Sequence, residues 1–144
     1  MIDKSVLDAA KAFLCWEAFD GLSVQLVAVQ NAVAYYYPPG NPCHAVVLFY
    51  LEESRDFSEP LFLLFHEAGH AKQWSEMQAQ KKTDLFQRMI SATEGREKLD
   101  FEKQAWEIGM RLFADFLRKE KLEPLLFEHF DRYRAVCLQS YEGG

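Results

Sequence analysis

Residues 61–77 read LFLLFHEAGHAKQWSEM, and the fold turns on how this stretch is wound. From residue 61 to 71 it is apolar on nearly every side of an α-helix, the pattern of a helix buried all round. At 3.6 residues per turn, His66 and His70 leave one face a turn apart, where two imidazoles can share one Zn²⁺. Glu67 sits about 100° round from His66, where a general base for a zinc-bound water belongs. The stretch therefore predicts a helical zinc hydrolase site with two ligands in place and a third to come from elsewhere. The bland alternative is a buried helix whose histidines bond backbone or acids, with Glu67 a plain ion-pair partner.

Upstream, Ser58 suits an N-cap, with Glu59 and Pro60 in the first turn of the same helix. Downstream, Lys72, Gln73 and Glu76 mark where it should emerge into solvent. Before it lie β-like runs at residues 22–29, 31–37 and 44–51. They predict a small three-stranded antiparallel sheet, with Pro38-Pro39-Gly40-Asn41-Pro42 as the clearest loop and Tyr35, Tyr36 and Tyr37 divided between the two faces. The third run leads into the active-site helix, and its edge is a candidate to pair with an extended peptide. Residues 2–19 predict an amphipathic helix with Val6, Leu7, Ala10, Phe13 and Leu14 inward, closed by Asp20-Gly21.

After the central helix the reading is all helical. Residues 81–93 form a short helix on Leu85, Phe86, Met89 and Ile90, broken at Glu94-Gly95. A long helix follows over 97–121, and Pro124 opens a last one to about residue 139, on Leu126, Phe130, Tyr133 and Cys137. The fold class is thus α+β in one domain, residues 1–144: an N-terminal helix, a small sheet, the H-E-x-x-H helix and a helical C-terminal half.

A catalytic zinc commonly has three protein ligands and one open position. His44, His129 and many acids are available. Periodicity favours Glu102. Ala105, Trp106, Gly109, Leu112, Phe113, Phe116 and Leu117 form one apolar arc of the long helix, with Glu102 at its centre. Glu107, Arg111, Asp115 and Arg118 lie opposite. A carboxylate aimed into a core is costly unless paired or bound to metal. Ala105 and Gly109 are small enough to let this helix approach the His66/His70 helix closely. The competing reading is a first-turn acid helped by the helix dipole. For stabilising a substrate carbonyl, His129, Tyr133, Arg134 and one of Tyr35 to Tyr37 are candidates, and none is singled out. Trp16, Trp74 and Trp106 read as core, the last two on the ligand-bearing sides of their helices.

His66-Glu67-Ala68-Gly69-His70 followed by Glu102-Lys103-Gln104-Ala105-Trp106 resembles the gluzincin metallopeptidases, most closely the small ImmA/IrrE-like members called minigluzincins. The resemblance implies zinc held by two histidines and a later glutamate, a minimal zincin-like fold and peptide-bond hydrolysis. It also suggests a regulatory protease acting on one protein. Gln104 departs from the E-x-E-A pattern of that group. Members often carry a DNA-binding or sensing domain, and none is expected within these residues.

Bulk composition bounds the rest. The chain has 144 residues, 49% of them hydrophobic and 15% aromatic, which favours one packed globule over disorder. A net charge of −6 without a basic run disfavours nucleic acid as a partner. Cys15, Cys43 and Cys137 are scattered and read as reduced core thiols of a cytoplasmic protein. The N-terminus lacks the apolar run of a signal peptide, and no membrane anchor is expected. The sequence thus predicts a cytoplasmic zinc peptidase for a peptide or protein substrate. It leaves open a catalytically inactive zincin-like interaction module.

Overall fold

The computed structural model describes residues 1–40 and 44–142. Its helices are α1 (Lys4–Phe13), α2 (Ser58–Ala79), α3 (Thr83–Ser91), α4 (Arg96–Glu120) and α5 (Leu125–Glu142). Its strands are β1 (Ser23–Ala28), β2 (Val33–Tyr37) and β3 (Ala45–Tyr50). The α+β arrangement read from the sequence is the one observed. Cys43, with Asn41 and Pro42 of the expected loop, lies outside the described residues.

The sheet is mixed rather than antiparallel throughout. Its order is β1-β3-β2, with β3 antiparallel to β2 and parallel to β1. Residues 29–32 carry the chain past the end of β3 to the far edge, and the Gln30 N–H bonds the Tyr50 carbonyl at 3.2 Å on the way. Skipping one strand means crossing roughly 10 Å, which so short a link can span. The cause lies in β3, AVVLFY, which is apolar at every position and so takes the central place. An edge of β3 open to a peptide is thereby ruled out, because both of its edges are paired. The free edge on that side belongs to β2.

Val24, Tyr36, Val46, Leu48 and Tyr50 turn inward and are buried, while Tyr35 and Tyr37 face out. Helix α2 lies across β2 and β3 on the inner side and packs along α4 on its other side. Leu61, Leu64, Phe65, Ala68 and Ala71 of α2 are fully buried, as expected of a helix apolar all round. Ser58 starts this helix without capping it. Asp56 Oδ1 does so instead, accepting from the Ser58 N–H at 3.1 Å, the Ser58 hydroxyl at 2.6 Å and the Ile2 N–H at 3.1 Å. Phe13, Phe62, Phe65, Phe113, Phe116 and Phe130 interlock where α1, α2, α4 and α5 meet.

Two further expectations are corrected. Trp16 is 85% exposed rather than core. It sits in a π-helical stretch, Leu14–Ala18, whose wider turn carries it off the buried stripe of α1. Gln73 is 1% exposed rather than at the solvent boundary, because α4 covers it. Cys15 and Cys137 are free thiols packed at the margin of the core. Among the described residues, no helix is long and apolar enough to cross a membrane.

Candidate metal centre

Two glycines set the site by setting the distance between α2 and α4. A Cβ placed on Gly69 would lie 2.0 Å from the Ala105 carbonyl oxygen, and one on Gly109 would lie 2.6 Å from that of Phe65. Backbone therefore meets backbone along the α2–α4 crossing. This contact carries Glu102, one turn before Ala105, to the face of α2 that bears His66 and His70.

The three side chains converge. Glu102 Oε2 stands 2.8 Å from His70 Nε2 and 3.7 Å from His66 Nε2. One ligand atom from each lies within 4.8 Å of the others, and the group can hold a metal ion. Donors at zinc distances and tetrahedral angles stand about 3.4 Å apart, a spacing the two observed values bracket. All three residues are nearly enclosed: His66 is 9%, His70 2% and Glu102 4% exposed. His66 Nε2 is buried without a hydrogen-bond partner, while Glu102 Oε2 has the His70 Nε2 contact at 2.8 Å. A buried orphan is rare and costly, and a cation at the focus of the three side chains would satisfy it. The donor set of two imidazoles and one carboxylate suits zinc.

The titration of the group tells the same story. Burial opposes the charged form of Glu102, yet the adjoining imidazoles of His66 and His70 outweigh it and hold the carboxyl far below its usual range. Burial likewise opposes protonation of His70, but the Glu102 hydrogen bond and charge, followed by Glu67 and Gln73, raise it above its ordinary value. A proton on His70 Nε2 and a cation would thus serve the same function, offsetting the Glu102 charge. Burial pushes the Glu67 carboxyl up, the charges of His66 and His70 pull against this, and Glu102 adds to the rise. A carboxylate with a raised pKa is a stronger base.

Neighbouring side chains complete the shell. Trp106 stacks on His66 with ring centroids 4.0 Å apart and planes 4° from parallel, walling that imidazole off from solvent. Phe101 stacks on His70 at 5.2 Å. Trp74, by contrast, packs against His44, not against the histidines of α2. The Lys98 ammonium donates to the Met89 and Ile90 carbonyls at 3.0 and 3.2 Å and stands 3.7 Å from Glu102 Oε1. The Tyr141 hydroxyl donates to the same carboxylate oxygen at 3.4 Å. Glu102 therefore turns one oxygen to its supports and the other to the histidines.

A cleft of about 490 Å³ opens onto Glu67, His70 and Glu102. One wall is β2, through Ala34 to Tyr37, and the other is residues 90–93 at and after the end of α3, with Lys98 and Tyr141 also lining it. His44, an alternative ligand on sequence grounds, instead accepts or donates a bond with the Tyr36 hydroxyl at 2.8 Å, away from the cluster. His129 is exposed, Tyr133 packs on Phe62 and Trp106, and Arg134 pairs with Asp131, so none of the three lines the cleft. Gln73, Lys98 and Tyr141 were not anticipated. Lys98 and Gln73 had a signal, being one helical turn from Glu102 and from His70. Tyr141 had none. Compared with protein-family models, curated proteins and solved structures, the chain matches none of them.

Proposed function

We propose that the protein is a cytoplasmic zinc-dependent peptidase, with His66, His70 and Glu102 as zinc ligands and Glu67 as general base and then general acid. The observation that carries this reading is the focus of three buried ligand atoms, that of His66 without a hydrogen-bond partner, beside a carboxyl of raised pKa at the floor of an open cleft. Zinc, when bound, would polarise the scissile carbonyl and acidify a water. The chain's own residues supply the rest. An extended substrate fits along the free edge of β2, whose unpaired backbone groups can bond a peptide main chain with little regard for its side chains. Glu67 takes a proton from the attacking water as its oxygen bonds to the carbonyl carbon. It then gives that proton to the amine nitrogen as the C–N bond breaks. Trp106 and Phe101 keep water from the outer faces of the imidazoles.

Metal analysis of the purified protein should find about one zinc per chain, lost in His66→Ala. Glu67→Gln should keep the zinc and lose cleavage of a peptide library by at least about 10²-fold. Full activity in Glu67→Gln would sink the mechanism. Zinc binding without cleavage of any peptide by the wild type would favour the non-catalytic module. A dedicated regulatory protease would ignore the library and cleave a protein captured by Glu67→Gln.

A further inference from the structure

Gln73 and Gln104 have no place in the chemistry above, yet they form a continuous chain of bonds ending on a candidate ligand. The Gln73 amide nitrogen donates to the Phe101 carbonyl at 3.1 Å and to Gln104 Oε1 at 2.7 Å. Gln73 Oε1 lies 2.9 Å from His70 Nδ1. The orientation of this amide follows from its partners. The Phe101 carbonyl can only accept, so the Gln73 atom facing it must be the nitrogen. The oxygen then faces His70, and an oxygen can only accept, so Nδ1 must carry a hydrogen. A neutral His70 therefore has its lone pair on Nε2, the atom directed at Glu102 and the site's focus.

We infer that Gln73, oriented by Gln104, is a positioning residue that selects the Nδ1–H tautomer of His70 and so prepares Nε2 to bind the metal. The inference rests on the zinc reading of the site. It explains why a glutamine on α2 is buried while Gln104 at the surface supports it. It also gives Gln104 a function: its side chain reaches the site through Gln73. The link is built wholly of neutral amides. It fixes the imidazole without adding negative charge, unlike the carboxylate that often backs a ligating histidine.

Zinc affinity, measured by competition with a chromophoric chelator, tests this directly. Gln73→Leu should weaken zinc binding about 10–100-fold. Gln104→Leu should weaken it at least about threefold, and Gln104→Glu, which keeps an acceptor for the Gln73 amide, should stay within about twofold. Because the two residues act in series, the double leucine variant should be no weaker than Gln73→Leu alone. A residue that merely fills space would not give that pattern. Long-range ¹H–¹⁵N correlation spectra of the zinc-loaded wild type should place the His70 hydrogen on Nδ1. Zinc on Nδ1 would overturn the inference, as would both leucine variants binding zinc as tightly as the wild type. Either result would leave the metal site itself standing. A wild type that takes up no zinc would instead remove the site reading. Gln104 is at the surface, so its two variants carry the test even if Gln73→Leu does not fold.

Discussion

Substituting Gly69 by alanine adds one methyl group at the closest approach of α2 and α4, and its effect has a definite sign. In an exposed helix the change would stabilise, since glycine costs about 1 kcal/mol relative to alanine. Here the new Cβ would lie 2.0 Å from the Ala105 carbonyl oxygen, whereas ordinary contact begins near 3.4 Å. The obstacle is backbone, so the helices must part by about 1.4 Å, the difference between these distances. Overpacking of that kind costs about 3 kcal/mol, which outweighs the propensity gain. For a chain of this length a net loss of about 2 kcal/mol lowers the melting temperature by roughly 4–8 °C. Glu102 lies one turn from Ala105 and would move with α4. Metal–ligand distances tolerate about 0.2 Å, so zinc affinity should fall more than about tenfold. Calorimetry and chelator competition on Gly69→Ala read both quantities. An unchanged or raised melting temperature with zinc affinity intact would refute the claim that this contact assembles the site.

Gly109→Ala, with its Cβ 2.6 Å from the Phe65 carbonyl oxygen, should lower the melting temperature less than Gly69→Ala, and calorimetry ranks the two. Lys98→Met removes the ammonium that bonds the Met89 and Ile90 carbonyls, at a cost of about 2 kcal/mol in urea melts and with faster amide exchange in residues 90–95. In chelator, stability should fall as pH rises above about 6, the ordinary histidine range. The Glu102 hydrogen bond and charge overcome burial to hold the His70 pKa up, so its contribution is present at low pH and lost as pH climbs through the raised value. Glu67, raised by burial, slopes the same way, while depressed Glu102 loses its contribution only in acid. Saturating zinc should reverse the slope, because it binds neutral imidazole; thermal melts across this range, with and without zinc, check both signs.

Much of the architecture was legible because periodicity records burial. The apolar stretch over residues 61–71 announced α2, and the lone acid in the arc of α4 announced Glu102, since an unpaired buried carboxylate is too costly to leave unexplained. Strand order was not legible in the same way. Alternation shows which face a residue takes but not which strand is its neighbour, so the β1–β3 pairing was missed. The continuous apolar run of β3 was the available clue to a central strand. Trp16 was misplaced because an α-helical projection fails where the helix widens to a π-turn.

The sequence by itself determined the residue types and spacing of a two-histidine, one-glutamate site and the helices that bear them. These are local matters, set by 3.6-residue geometry and the cost of burying charge. Only the tertiary structure decided that His66, His70 and Glu102 meet. Their meeting depends on backbone contact at Gly69 and Gly109 between helices distant in sequence. It likewise decided that Gln73 is buried with its amide oriented by Phe101 and Gln104, that Lys98 and Tyr141 hold one oxygen of Glu102, and that β2 lends its edge to the cleft. Those relations join groups far apart along the chain, and helical or strand period carries no information about them.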